Sequence, residues 1–197
     1  LALFGDTLAL AATATWTVPT FMVVQHLDPA RAAWIGTIMG LSQIVFLIIG
    51  GYVTDRFSWR SPVLLVGSAL TLLSAAAFVY VAGHPVPPVA TVLLAATSGV
   101  AVTSGGTIFR VLTEAFPRRI APAAIGYTES FGLFSTFAAP GIMGSIIDRT
   151  GSFALAFTAY AVTEGVILLL LLVLCGSLVA YKVAARPGTE LNTDRTA

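Results

Sequence analysis

Charge is scarce in this sequence. Asp, Glu, Lys and Arg make up 10% of its 197 residues, where a soluble domain has about 25%. So few charges cannot cover a water-facing surface, which excludes a soluble enzyme, a nucleic-acid-binding domain and a disordered chain. The formal net charge of +1 gives no basis for a polyanionic partner. One cysteine, Cys175, excludes a disulfide framework and a thiolate metal cluster. The two histidines, His26 and His84, are far apart, so a histidine metal site would have to be assembled from distant positions. No metal and no cofactor is expected. Two enzymatic signatures are also missing: no H-E-x-x-H metal motif and no Ser-x-x-Lys pair of nucleophile and base occurs.

Apolar residues are abundant: 57% of the chain is hydrophobic and its mean hydropathy is +0.92. A helix needs roughly 20 mostly apolar residues to cross a bilayer. Six runs meet that length: Leu3–Val24, Ala33–Val53, Pro62–Ala82, Val89–Thr113, Ala123–Ile147 and Phe153–Tyr181. Runs such as Ile44–Ile49 and Val166–Leu174 are apolar on both faces, which fits lipid-embedded helices and not the alternation of a membrane β-barrel. The expected fold is an all-α integral membrane protein with six transmembrane helices over residues 1–181. A polar cytoplasmic tail, expected to be disordered, follows over residues 182–197. Leu1–Val24 lacks a positive leader, so it does not read as a cleaved signal peptide. The first run starts without a methionine or a polar lead-in, as expected of a fragment whose upstream part is missing.

Six spans place both ends on one side. That side carries Arg56, Arg60, Arg110, Arg118, Arg119, Lys182, Arg186 and Arg195, and the other side only Arg31 and Arg149. Positive charge concentrates in cytoplasmic loops, so both ends are expected in the cytosol of a bacterial inner (plasma) membrane.

The first cytosolic loop reads Gly51-Tyr-Val-Thr-Asp55-Arg56-Phe-Ser-Trp-Arg60-Ser-Pro62. It resembles the signature loop of the major facilitator superfamily, roughly G-x-x-x-D-R/K-x-G-R/K-R/K, which joins the second and third helices of each six-helix half. Gly51, Asp55, Arg56 and Arg60 match; Ser58 and Trp59 depart from the pattern. Further on, Glu114-Ala-Phe-Pro-Arg-Arg119 is similar to the loop between the fourth and fifth helices of a half. Gly132, Pro140, Gly141 and Gly144 are similar to its glycine-proline-rich fifth helix. The fourth span has Thr97 where an N-terminal half usually carries an arginine, and Asp148-Arg-Thr-Gly-Ser precedes the last span. The resemblance therefore implies the C-terminal half of a twelve-helix fold. Its partner is then the N-terminal six-helix half, in a lipid bilayer, with a small solute and protons as cargo. It implies secondary active transport by alternating access. A stand-alone scaffold or inactive fragment is the alternative.

Residue roles follow from chemistry and from the resemblance together. Gly51 would allow close helix approach, Asp55 would sit at the positive end of a neighbouring helix, and Arg56 and Arg60 would make charge-assisted bonds that hold the cytosolic side shut. Arg110 can pair with Glu114 four residues on, in a gating or structural role. Ionisable groups within the spans are costly and mark function. Asp6 lies at the start of the first span, as an interfacial residue or a site residue. Glu129 lies roughly 9 Å into the fifth span and Glu164 roughly 16 Å into the sixth, at about 1.5 Å per residue. Depth favours Glu164. The resemblance makes the sixth helix a peripheral support and gives the cavity to the first, second, fourth and fifth, so Glu129 is preferred for proton coupling. Gln43 and Trp16 are expected to add to the lining. Gly126 and Gly132 are expected in helix packing, and Trp34 and Trp59 as interface anchors.

Overall fold

The computed structural model describes residues 1–57 and 60–184. Their regular structure is helical: α1 (Ala2–Val23), α2 (Pro29–Phe57), α3 (Arg60–Gly83), α4 (Pro88–Ser98), a 3-10 turn (Gly99–Val102), α5 (Gly105–Ala115), α6 (Ala121–Thr150) and α7 (Phe153–Ala184). Ser58, Trp59 and residues 185–197 of the expected tail lie outside the described residues, as does the side chain of Arg60.

The helix starts follow local chemistry. Asp28 Oδ1 accepts the amide of Arg31 at 3.0 Å, satisfying a free donor in the first turn of α2. Ser152 Oγ does the same for Leu155 in α7 at 3.2 Å. Pro88 opens α4 with its missing N–H where no donor is needed. Between α6 and α7 the chain reverses through Gly151 at φ 66°, a left-handed conformation that favours glycine. Several helices are longer than their apolar runs: Ala33–Val53 grows to Pro29–Phe57, for example, and Ala123–Ile147 to Ala121–Thr150. Backbone hydrogen bonds continue into the polar flanks, where hydropathy no longer reports the helix.

Among the described residues, five helical segments are long and apolar enough to cross a membrane: Pro29–Arg56, Pro62–Gly83, Pro88–Ala115, Ala121–Thr150 and Phe153–Cys175. α1, with 22 residues, is not among them; it carries Asp6 and five threonines. Its place explains its polarity. α1 touches α2, α3, α6 and α7, so most of its threonines face protein, Thr15 being the exposed exception. Thr13, Thr17 and Thr20 are buried. Around it α3 packs chiefly on α7, where Phe78 stacks on Phe157 at 5.3 Å. On the outside, Trp34, Ile48, Tyr52, Phe137 and Val173 are exposed, an apolar surface that suits hydrocarbon and not water.

The fourth expected span is broken, not continuous. α4 ends at Ser98, passes through the 3-10 turn, and resumes as α5 at Gly105. A break at membrane depth frees backbone groups that have no water to bond, so protein must satisfy them. Ser42 of α2 supplies its hydroxyl: Ser42 Oγ lies 3.0 Å from the Ala95 carbonyl and accepts the Gly99 amide at 3.1 Å. Thr71 of α3 donates to the Ala101 carbonyl at 2.8 Å. α2 comes close enough for this because of glycine. A Cβ on Gly99 would stand 2.4 Å from the Ser42 carbonyl, and one on Gly50 would stand 1.8 Å from the Thr103 oxygen.

The close approach expected at Gly51 therefore belongs first to its neighbour. A Cβ on Gly51 would meet nothing within 4 Å, although its backbone lies 3.4 Å from where Gly106 would carry one. Gly132 packs as expected, facing Leu3 and Thr7 of α1 at 3.2 and 3.3 Å. Gly126 does not, since a Cβ there would meet open space. Replacing Gly50 by alanine should destabilise the protein in detergent by about 1–3 kcal/mol, the range for overpacking. Gly126→Ala should instead raise stability by about 0.5–1 kcal/mol, because it only restrains a helical glycine. Thermal unfolding of both variants separates the two; equal shifts would reject the close approach.

Candidate functional site

A cavity of about 310 Å³ opens between α1, α2, the 3-10 turn, α5 and α6. Its polar lining is Asp6 and Thr7 from α1, Gln43 from α2 and Glu129 from α6. Leu10, Leu47 and Phe109 supply much of the apolar wall. Apolar walls with a few convergent polar groups are the usual build of a small-molecule site. Three of the four residues expected to bind or couple thus meet in one place. The fourth, Trp16, does not line it. Its Nε1 donates to the Pro140 carbonyl at 3.3 Å and its ring meets Phe153 edge-on at 6.3 Å, so it ties α1 to α6 and α7.

Asp6 is buried among the helices. It is 5% exposed, and Ser104 Oγ lies 2.9 Å from both of its carboxylate oxygens. Ser104 stands where the broken span resumes, so the break presents a hydroxyl to a buried acid on α1. Ser104 in turn sits over Gly67 of α3, where a Cβ would lie 2.7 Å from the serine's own. Glu164 is also inside, at 1% exposure, and not on a peripheral rim. Its carboxyl lies against α1: a Cβ on Gly5 would stand 2.9 Å from Oε2.

Further along α5 a second constellation forms. Arg110 donates through Nε to Glu114 at 3.1 Å, the expected pair four residues apart, and through Nη1 to Asp55 of α2. The signature-loop acid is thus held by a guanidinium from the middle of α5, where a helix N-terminus was expected. The Asp55–Arg110 pair crosses between helices and its residues are largely exposed, so it is a weak, salt-sensitive tie. Next to it, the Thr54 and Thr107 hydroxyls bond directly between the same two helices. Arg56 lies in the last turn of α2.

The loops that follow α1 and α3 are held by a residue that composition does not single out. Gln25 donates to the Val81 and His84 carbonyls at 2.7 and 2.8 Å and accepts the Val86 amide at 2.8 Å. His84 stacks on Tyr80 at 4.7 Å, and His26 occupies a left-handed turn at φ 52°.

A cavity between the first, second, fourth and fifth spans, with a charged tie across the signature loop, is the arrangement the resemblance implies. The family model of the Major Facilitator Superfamily matches residues 1–195. The chain belongs to the major facilitator superfamily. This makes it a multi-pass membrane protein of a transporter superfamily. No curated protein gives a significant match to it.

Ser42, Thr71 and Ser104 are the residues that sequence reading passed over, while Glu164 was weighed and placed behind Glu129. The available signal was a Ser or Thr on each of three neighbouring spans at similar depth. Removing the Ser104 hydroxyl should leave Asp6 without its donor. Ser104→Ala should destabilise the protein by about 1–3 kcal/mol, the range for a buried polar group that loses its partner. Ser145→Ala, which removes an exposed hydroxyl bonded only to its own helix, should change nothing measurable. Chemical denaturation in mild detergent reads both.

Proposed function

We propose that the chain is the C-terminal six-helix half of a twelve-helix secondary transporter that moves a small organic solute by alternating access, coupled to protons. The observation that carries this reading is the cavity itself: Asp6, Gln43 and Glu129 converge in it, and it lies open between four spans. α1 is the sixth crossing, since 22 residues at about 1.5 Å each give roughly 33 Å, enough for the hydrocarbon core. The N-terminal half is the partner that closes the cavity, in the plasma membrane. The face that carries Asp55, Arg56 and Arg110 is cytosolic, as are both ends, because most arginines lie there.

The lining favours a neutral or cationic solute. Two carboxyls and an amide face the cavity, and no Lys or Arg is among its lining residues. Gln43 and Glu129 contact the solute, and Asp6 borders it. In liposomes holding the complete transporter, an inward proton gradient should drive uphill uptake. Gln43→Leu should weaken apparent solute affinity about fivefold to tenfold, as expected for one lost hydrogen bond of about 1–1.4 kcal/mol. No uptake by the complete protein under any gradient would favour an inactive scaffold.

Asp55 and Arg110, with Glu114, Gly51, Arg56 and Arg60 around them, form the cytosolic gate. A weak tie suits this work, because a gate must open at every cycle. Asp55→Asn should leave expression largely intact and make single cysteines on the cytosolic side of the cavity react faster with a membrane-impermeant maleimide. Unchanged labelling would count against gating.

A further inference from the structure

Behind the cavity lies a second group of polar atoms that solute binding does not use. Among the buried side-chain oxygens of the described residues, Ser74 Oγ, Tyr160 Oη and Glu164 Oε1 have no hydrogen-bond partner. They belong to the seam between α3 and α7. Phe78 stacks on Phe157, and Leu72 lies 3.9 Å from where Gly165 would carry a Cβ, so the helices run antiparallel with Ser74 level with the turn that holds Tyr160. Glu164 reaches from this seam to α1 and lodges in the space that Gly5 leaves, one residue from Asp6. Orphaned polar atoms in a protein interior are rare and need a reason.

We propose that Asp6 and Glu164 form an enclosed carboxyl pair that binds one exchangeable proton, and that this pair, not Glu129, carries the coupling proton of the transport reading on which this inference rests. Two acids that share a buried site cannot both keep a negative charge without a counter-charge. Among the described residues, none of the following groups supplies one. α7 adds only the Tyr160 phenol, and α6 only Glu129, which lies on the cavity with Asp6. α3, the 3-10 turn and the start of α5 add hydroxyls: Ser68, Ser74 and Ser104. Arg60 opens α3 at its far end, and Arg110, halfway along α5, is engaged with Asp55 and Glu114. Among the described residues no cluster of three or more His, Cys, Asp or Glu could hold a metal ion. A proton needs only one acceptor oxygen, and Glu164 Oε1 is vacant.

Asp6 gives the pair its access. It lines the cavity, its carboxylate is held by Ser104 at the break, and Glu164 lodges at the adjacent residue of the same helix, Gly5. Loading breaks one O–H bond of a hydronium ion in the cavity and forms one on the pair; release to water reverses it. The pair then differs by one charge between the two states. The Ser104 hydroxyl, which can donate to a carboxylate, passes that difference to the broken span.

Infrared difference spectroscopy and transport on the complete transporter test this. The protein should show a carboxyl C=O band that shifts in deuterium oxide, disappears in Glu164→Gln and returns, displaced, in Glu164→Asp. Glu164→Gln should keep energy-independent counterflow of solute while its proton-driven accumulation falls to equilibration; Glu164→Asp should recover part of the accumulation. Glu164 is not a cavity-lining residue, so counterflow reports folding and solute binding together. If Glu164→Gln accumulates solute like the parent, or if the band survives in it, the pair does not hold the proton and the inference fails. If the parent shows the band and counterflow but no proton-driven uptake, proton coupling fails while the proton site stands. If Glu164→Gln loses counterflow as well, Asp6→Asn decides on the band alone, and its persistence there would overturn the pair.

Discussion

Everything in this molecule depends on the fourth span being broken in a place without water. A continuous helix would satisfy its own backbone and could sit anywhere in the bundle. A broken one cannot, because each freed carbonyl or amide must find a partner within the protein. The partners are short hydroxyl side chains on the two adjoining helices, Ser42 on α2 and Thr71 on α3. These hydroxyls reach only if the backbones nearly touch, which fixes glycine at Gly50 and Gly99. The register of α2, α3 and the broken span follows from that one requirement.

The site follows as well. The resumed helix begins beside α1, so Ser104 meets Asp6. Halfway along, it passes the signature loop, so Arg110 meets Asp55. A helix of only 11 residues, α5, therefore has a buried acid at its start and an exposed acid at its middle. The cavity opens along its side, with Gly105 and Phe109 in the wall. Cavity wall, buried acid and exposed ion pair are three contacts of one short helix. In the transport cycle proposed above, a shift of that helix at one contact would be felt at the other two.

Much of this was legible in the residues. Hydrophobic run length gave the positions of the helices, and the Gly51–Arg60 stretch gave the family. Asp6, Gln43 and Glu129 were picked as isolated polar residues in apolar runs, and they do meet. What was not legible depends on who sits opposite whom. Thr97 and Ser98 look alike in sequence, yet the break begins at Ser98 because Gly99 follows and Ser42 faces it. Glu164 was set aside because the last span was taken as a rim; the small side of α1 at Gly5 lets it reach inward. Trp16 looked like a lining aromatic, and the carbonyl of Pro140 drew it into packing. Period and hydropathy describe one helix at a time, and these are relations between helices.

The hydroxyls that hold the broken span have one more property. A serine or threonine can donate to the carbonyl a turn back on its own helix as readily as to a neighbour: Thr54 and Thr71 sit within reach of the Gly50 and Gly67 carbonyls, at 2.8 and 3.0 Å, while also meeting another helix. When two helices slide apart, such a group does not lose a hydrogen bond; it turns back to its own chain. Measured values for single polar contacts between membrane helices average only about 0.6 kcal/mol, for this reason among others. A bundle sewn with hydroxyls therefore has a specific resting arrangement and yet a shallow barrier to leaving it. An equivalent bundle sewn with amides or buried ion pairs would be more firmly fixed and slower to change shape. The threonine content that lowers the hydropathy of α1 is then a lubricant as well as an adhesive.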